Sequence, residues 1–121
     1  MDPQGRTALV TGGSKGIGLG VAEAMVDAGM DVVITARTEA DVRRAEDALN
    51  ARGAGRALGV ACDVRDLAQQ RAAVATTLET FGRLDVLIAN AGVGHFASIA
   101  DLEPDAWHRV LDTNLTGVFY S

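Results

Sequence analysis

With 121 residues, 48% of them apolar, the chain has enough material for one hydrophobic core and too little for two domains. A net charge of -5, no basic run and few aromatics argue against a nucleic-acid surface. The single cysteine, Cys62, excludes an internal disulfide framework and suits a reducing compartment. The opening MDPQGRTALV lacks a charged segment followed by a long apolar stretch, and no apolar run approaches the ~18 residues of a membrane span. The expectation is a soluble, cytoplasmic globular domain with no nucleic-acid or membrane partner.

Short apolar runs alternate with helical patterns along the chain. TALV, from Thr7 to Val10, predicts a buried strand, and the glycine-rich TGGSKGIG follows it. A helix is expected over roughly Ile17 to Ala28, with Gly29 where it should stop. DVVITA, Asp31 to Ala36, is a second strand rich in β-branched residues. Thr38 is placed as N-cap of a helix over Glu39 to Ala51. A weaker strand, Arg56 to Ala61, leads to a helix over Leu67 to Phe81 ended by Gly82, and Leu84 to Ala89 forms a fourth strand. Pro104 suits the first turn of a last helix carrying Trp107, Val110, Leu111, Leu115, Val118 and Phe119 at helical spacing. Strand-helix-strand repetition with short links predicts right-handed crossovers and a parallel α/β sheet, half of a doubly wound, Rossmann-type fold with its first four strands. Four strands without a second half would leave the fourth strand's edge and the last helix's apolar face open, so a longer natural protein is expected.

The glycine turn, Gly12-Gly13-Ser14-Lys15-Gly16-Ile17-Gly18, opens the first helix directly after the first strand and holds the only lysine of the chain. Glycines there let the backbone approach a ligand, and the helix N-terminus attracts phosphate. The spacing is neither G-x-G-x-x-G nor the triphosphate loop, in which the lysine follows a glycine and precedes Ser or Thr. Asp63 and Val64 end the third strand, and Asn90-Ala91-Gly92 follow the fourth, all at the sheet edge where open α/β folds bind ligands. Asn114 stands inside the last helix on a face otherwise made for packing. The second strand runs out into Ala36-Arg37, with no carboxylate to hold a ribose 2′-hydroxyl. Arg37 and Lys15 instead suit a 2′-phosphate, which favours NADP over NAD.

Together these motifs resemble the short-chain dehydrogenase/reductase family, in its 3-oxoacyl-reductase-like branch. TGGSKGIG matches its TGxxxGxG loop, Asp63 its adenine-contacting acid, Asn90-Ala91-Gly92 its NAG motif and Asn114 the Asn of its Asn-Ser-Tyr-Lys tetrad. The match runs from Gly5 to Ser121. It implies NAD(P)(H)-dependent oxidation of an alcohol or reduction of a carbonyl, with Asn114 as the one catalytic residue present, in the family bending its helix and holding a water of the proton relay. A basic residue before the second glycine and an Arg after the second strand accompany NADP in look-alike members. Tyr120, the only tyrosine, is too early to be the catalytic one, and no Tyr-x-x-x-Lys occurs in these residues. The resemblance further implies a small carbonyl or alcohol substrate, and a homo-oligomer in which the last helix packs against its neighbours. The alternatives are a non-catalytic dinucleotide-binding module and, more distantly, a mononucleotide-binding domain. His95 is a loop residue with a substrate contact as its second reading, His108 and Asp85 are read as structural, and Cys62 as a small buried hydrophobe. No residues have metal-ligand spacing.

Overall fold

In the computed structural model, which describes Met1–Ser121, the apolar runs become one parallel four-stranded sheet in the order β3-β2-β1-β4. The elements are β1 (Thr7–Thr11), α1 (Gly16–Asp27), β2 (Asp31–Ala36), α2 (Glu39–Asn50), β3 (Ala57–Ala61), α3 (Leu67–Phe81), β4 (Val86–Ile88), α4 (Pro104–Leu111) and α5 (Gly117–Tyr120). β1 and β2 pair from Thr7 with Asp31 through Thr11 with Thr35, while β4 joins the other side of β1 through Ala8 and Val86.

Alternation along the strands divides the core. Ala8, Val10, Val32 and Ile34 face α1 and α2, meeting Ala22, Val26, Ala45 and Leu49. Leu9 and Val33 face the opposite side, with Cys62 and Ala73 of α3. β1 and β2 are covered on both faces, which is why they read as continuous apolar runs and not as alternating ones. Side chains as completely buried as Ile34 and Leu49 each stabilise the fold by about 1.5–3 kcal/mol relative to exposure.

β2 and α3 have the expected bounds, and Gly29 and Gly82 close their helices in left-handed conformation. β4 is shorter than expected. Only β1 pairs with it, so its ends lack a second ladder, although the Asp85 N–H still donates to the Thr7 carbonyl at 2.8 Å. Thr38 occupies the N-cap position of α2 without making a cap bond; Asp66 does cap α3, accepting from the Gln69 N–H at 3.1 Å. The last helix is not uniformly α. A π-helical turn over Asp112–Thr116 separates α4 from α5, and the extra residue rotates everything after it relative to simple helical spacing. Trp107, Leu115, Val118 and Phe119 are exposed, as is Leu87 of β4.

Candidate functional site

Because the chain runs from β1 outward to β2 and β3 and then returns to the other side of β1, the sheet has a switch point at β1. A cleft of about 410 Å³ opens there, at the carboxyl ends of the strands. Gly12, Ser14, Lys15, Gly16 and Ile17 form one wall, and Ala36, Arg37, Thr38 and Asp41 a second. Cys62, Asp63, Val64 and Arg65 come from the end of β3, Asn90 to Val93 from the end of β4, and Thr113 from the π turn.

The turn after β1 is built for close backbone approach. Gly12 and Gly16 have φ of 65° and 58°, the left-handed region that side chains other than glycine rarely adopt. Gly13 and Gly18 do not line the cleft; they are buried beneath it. A Cβ on Gly13 would meet the Ile34 side chain at 2.6 Å, and one on Gly18 would strike the Gly12 carbonyl. Gly18 therefore lets α1 begin against the turn itself. No side chain caps α1 and no acid stands in its first turn, whereas Asp66 caps α3 and Glu39 and Asp41 occupy the first turn of α2. The positive end of the α1 dipole thus remains uncompensated at the cleft.

Asn90 holds the turn in place. Its Nδ2 donates to the carbonyls of Thr11 and Gly12 at 3.1 and 3.2 Å. The Thr11 hydroxyl in turn accepts from the backbone N–H groups of Asn90 and Ala91, at 3.0 and 3.1 Å. Thr11, the first residue of TGGSKGIG and not among the expected site residues, joins the ends of β1 and β4. Its signal was its place as the threonine that ends β1 and opens the TGxxxGxG match.

Charge in the cleft is distributed unevenly. Arg65 grips Asp63 with its Nε and Nη2, at 3.0 and 2.7 Å, and its backbone N–H donates to the same carboxylate at 3.0 Å. Those bonds from Arg65, with the Arg37 charge behind them, hold the Asp63 carboxyl below the usual carboxylate range. Lys15 and Arg37 are exposed and take part in no ion pair, while Arg6, Arg43, Arg44, Arg52, Arg56, Arg65 and Arg83 are all committed to carboxylates. Cys62 is 3% exposed, and burial pushes its thiol up to about 11, so it behaves as a small apolar side chain.

Asn114 lies one position from the lining residue Thr113 and turns toward the β4 end. Its Oδ1 accepts from the Val93 N–H and its Nδ2 donates to the Val93 carbonyl, both at 2.8 Å. The amide therefore clamps the backbone just after Asn90-Ala91-Gly92. His95 is exposed, with Nδ1 3.4 Å from the Arg109 guanidinium, and His108 is exposed on α4. Asp85 sits at the opposite end of the sheet, below the strands.

The model of the short chain dehydrogenase family matches residues 6–121. This chain belongs to that family. It is 42% identical to the short-chain reductase protein NovJ of Streptomyces niveus over 114 residues, covering 94% of this chain and 43% of NovJ. Among short-chain dehydrogenase structures, one from Burkholderia phymatum in complex with NAD superposes with a TM-score of 0.94 at 32% identity, over 99% of this chain and 42% of that one. A 3-ketoacyl-ACP reductase from Sinorhizobium meliloti gives a TM-score of 0.88 at 38% identity, over 94% of this chain and 45% of its own. The chain thus spans somewhat under half the length of the family members it matches, and its four parallel strands with their helices are the Rossmann-like part of their fold. No helix is long and apolar enough to cross a membrane.

Proposed function

We propose that these residues form the cofactor-binding part of an NADP-dependent short-chain reductase that converts a ketone or 3-oxoacyl-type carbonyl to the alcohol. The observation that carries the cofactor choice is the pair of uncommitted cations, Lys15 and Arg37, on a cleft where Ala36 offers no carboxylate. A 2′-phosphate would satisfy both cations, and a bare ribose hydroxyl neither. Gly12, Ser14, Lys15, Gly16 and Ile17 hold the pyrophosphate against the free N-terminus of α1, with Gly13 and Gly18 packed beneath them to shape the turn. Asp63 and Val64 meet the adenine, and Asn90, Ala91 and Gly92 run beside the adenosine ribose and pyrophosphate. The bound nicotinamide supplies the hydride. Asn114 belongs to the catalytic set through the π-helical turn it sits on, which orients the backbone around Val93 at the β4 end. The reductase direction is supported by the names of NovJ and of the Sinorhizobium meliloti neighbour. The exposed Trp107, Leu115, Val118 and Phe119 support a homo-oligomer, and the lone thiol a cytoplasmic location.

Titrating NADPH and NADH against wild type and Arg37→Asp tests the reading. The variant should lose roughly tenfold to a hundredfold in NADPH affinity, the range for losing a charge-assisted hydrogen bond, with little change for NADH. An unchanged preference would overturn the NADP assignment. The competing outcome is dinucleotide binding without turnover. Following NADPH absorbance with a panel of carbonyl compounds separates the two, since binding without oxidation of NADPH supports the second.

A further inference from the structure

Gln70 of α3 is only 6% exposed, on a helix face whose other buried residues are Ala73 and Thr77. An apolar side chain would serve packing there, and an amide is tolerated in such a place only when its polar atoms find partners. They do so across three segments. Nε2 donates to the Val64 carbonyl at 2.6 Å and to the Gly117 carbonyl at 2.9 Å, and Oε1 accepts from the Ser121 hydroxyl at 2.8 Å. Both amide hydrogens are therefore used, one on each side of a joint. The joint is tight, because a Cβ on Gly117 would meet Val64 Cγ2 at 2.8 Å.

The two carbonyls belong to segments with different work. Val64 follows Asp63 on the cleft wall formed by the end of β3. Gly117 directly follows the π turn carrying Asn114, whose side chain clamps Val93. A continuous set of bonded contacts thus runs from the β3 wall through Gln70 and Gly117 to the π turn, and on to the β4 end.

We propose that Gln70 is a positioning residue that ties the Asp63–Val64 wall of the cleft to the Asn114 turn. Without its two donors the turn can shift against the wall, and the Asn114 clamp on Val93 loosens. The ligand consequence rests on the dinucleotide reading above; the structural one does not.

Amide hydrogen exchange, followed by NMR on the ligand-free chain, tests it. In Gln70→Met, which keeps length and apolar packing but has no donor, the Val93 N–H should exchange about tenfold faster, and Leu9 and Val33 in the central strands should stay within about twofold of wild type. Gly117→Ala forces the same joint apart from the other side without removing a polar partner, and should accelerate Val93 in the same selective way. Affinity for ADP-ribose, which is the dinucleotide without its nicotinamide and so keeps the adenosine that the Asp63–Val64 wall would meet, should fall by about threefold or more in both variants. An unchanged Val93 amide in the two variants overturns the proposal. So does uniform acceleration of all amides, which marks Gln70 as mere packing. If wild type binds no dinucleotide at all, the proposed function fails while the exchange result still decides this one.

Discussion

At the amino ends of the strands, Asp85 accepts from Arg83 through two bonds of 2.7 Å, from the Thr7 N–H at 2.9 Å and from Arg6 at 3.3 Å. At the carboxyl ends, Lys15 and Arg37 face a cleft with no carboxylate bound to either, and α1 begins without a cap. The first arrangement uses its charges to tie β1 to β4 and has nothing left for a ligand. The second leaves positive charge and a helix dipole unanswered, which is unfavourable in an empty site and becomes favourable once an anion arrives. Within one small sheet, two cations without carboxylate partners, standing beside the satisfied Asp63–Arg65 pair, separate the proposed ligand-binding end from the end tied by Asp85.

The largest effect expected from breaking this contrast is at Gly18. Gly18→Val would drive a branched side chain into the Gly12 carbonyl and Asn90 Nδ2, so about 3 kcal/mol of stability should be lost together with NADPH binding. Thermal unfolding and a cofactor titration check both, and a variant that keeps its melting temperature would show that α1 can retreat from the turn. Asn90→Ala removes two donors from the Thr11 and Gly12 carbonyls and should cost about 1 kcal/mol in urea unfolding. Its cofactor affinity should fall more than its stability, because the turn loses its brace on the wall of the proposed cofactor cleft.

The smallest effect is at the structural end. Arg83, with the Thr7 N–H and Arg6, holds the Asp85 carboxyl at about 2, below its usual 3.8. A carboxyl depressed on folding contributes stability that is complete above its unfolded value and is lost as pH falls through its folded one. Wild type should therefore weaken between about pH 4 and pH 2, and Asp85→Asn should flatten that part of the pH profile while leaving NADPH affinity at neutral pH unchanged. Arg83 is half exposed while Asp85 is largely covered, so added salt should shrink the difference only in part. A change in cofactor binding in this variant would mean that the two ends of the sheet are not separate.

Much of this architecture was legible in residue order. The runs around Val10 and Ile34 read as buried parallel strands and that around Leu87 as a fourth strand, which proved partly exposed; Gly82 marked a helix end, and glycines between β1 and α1 marked the phosphate-type turn. Lys15, Arg37, Asp63 and Asn90 fell at strand ends, and parallel connectivity brings all such ends to one edge. What order alone did not reveal were the partners of polar side chains. Thr38 looked like a cap and makes no cap bond, while Asp66 makes one. Gly13 and Gly18 looked like ligand contacts and are packing positions beneath the cleft.

Apolar patterning and glycine placement, then, determined the strands, the turn and the edge at which the cleft opens, because burial and backbone freedom are properties a residue carries with it. Only the tertiary structure decided that Asn114 grips Val93, that a π turn interrupts the last helix, and that Gln70 bridges Val64 to Gly117. Each depends on which distant backbone group lies within about 3 Å of a donor, and that is set by how whole segments pack.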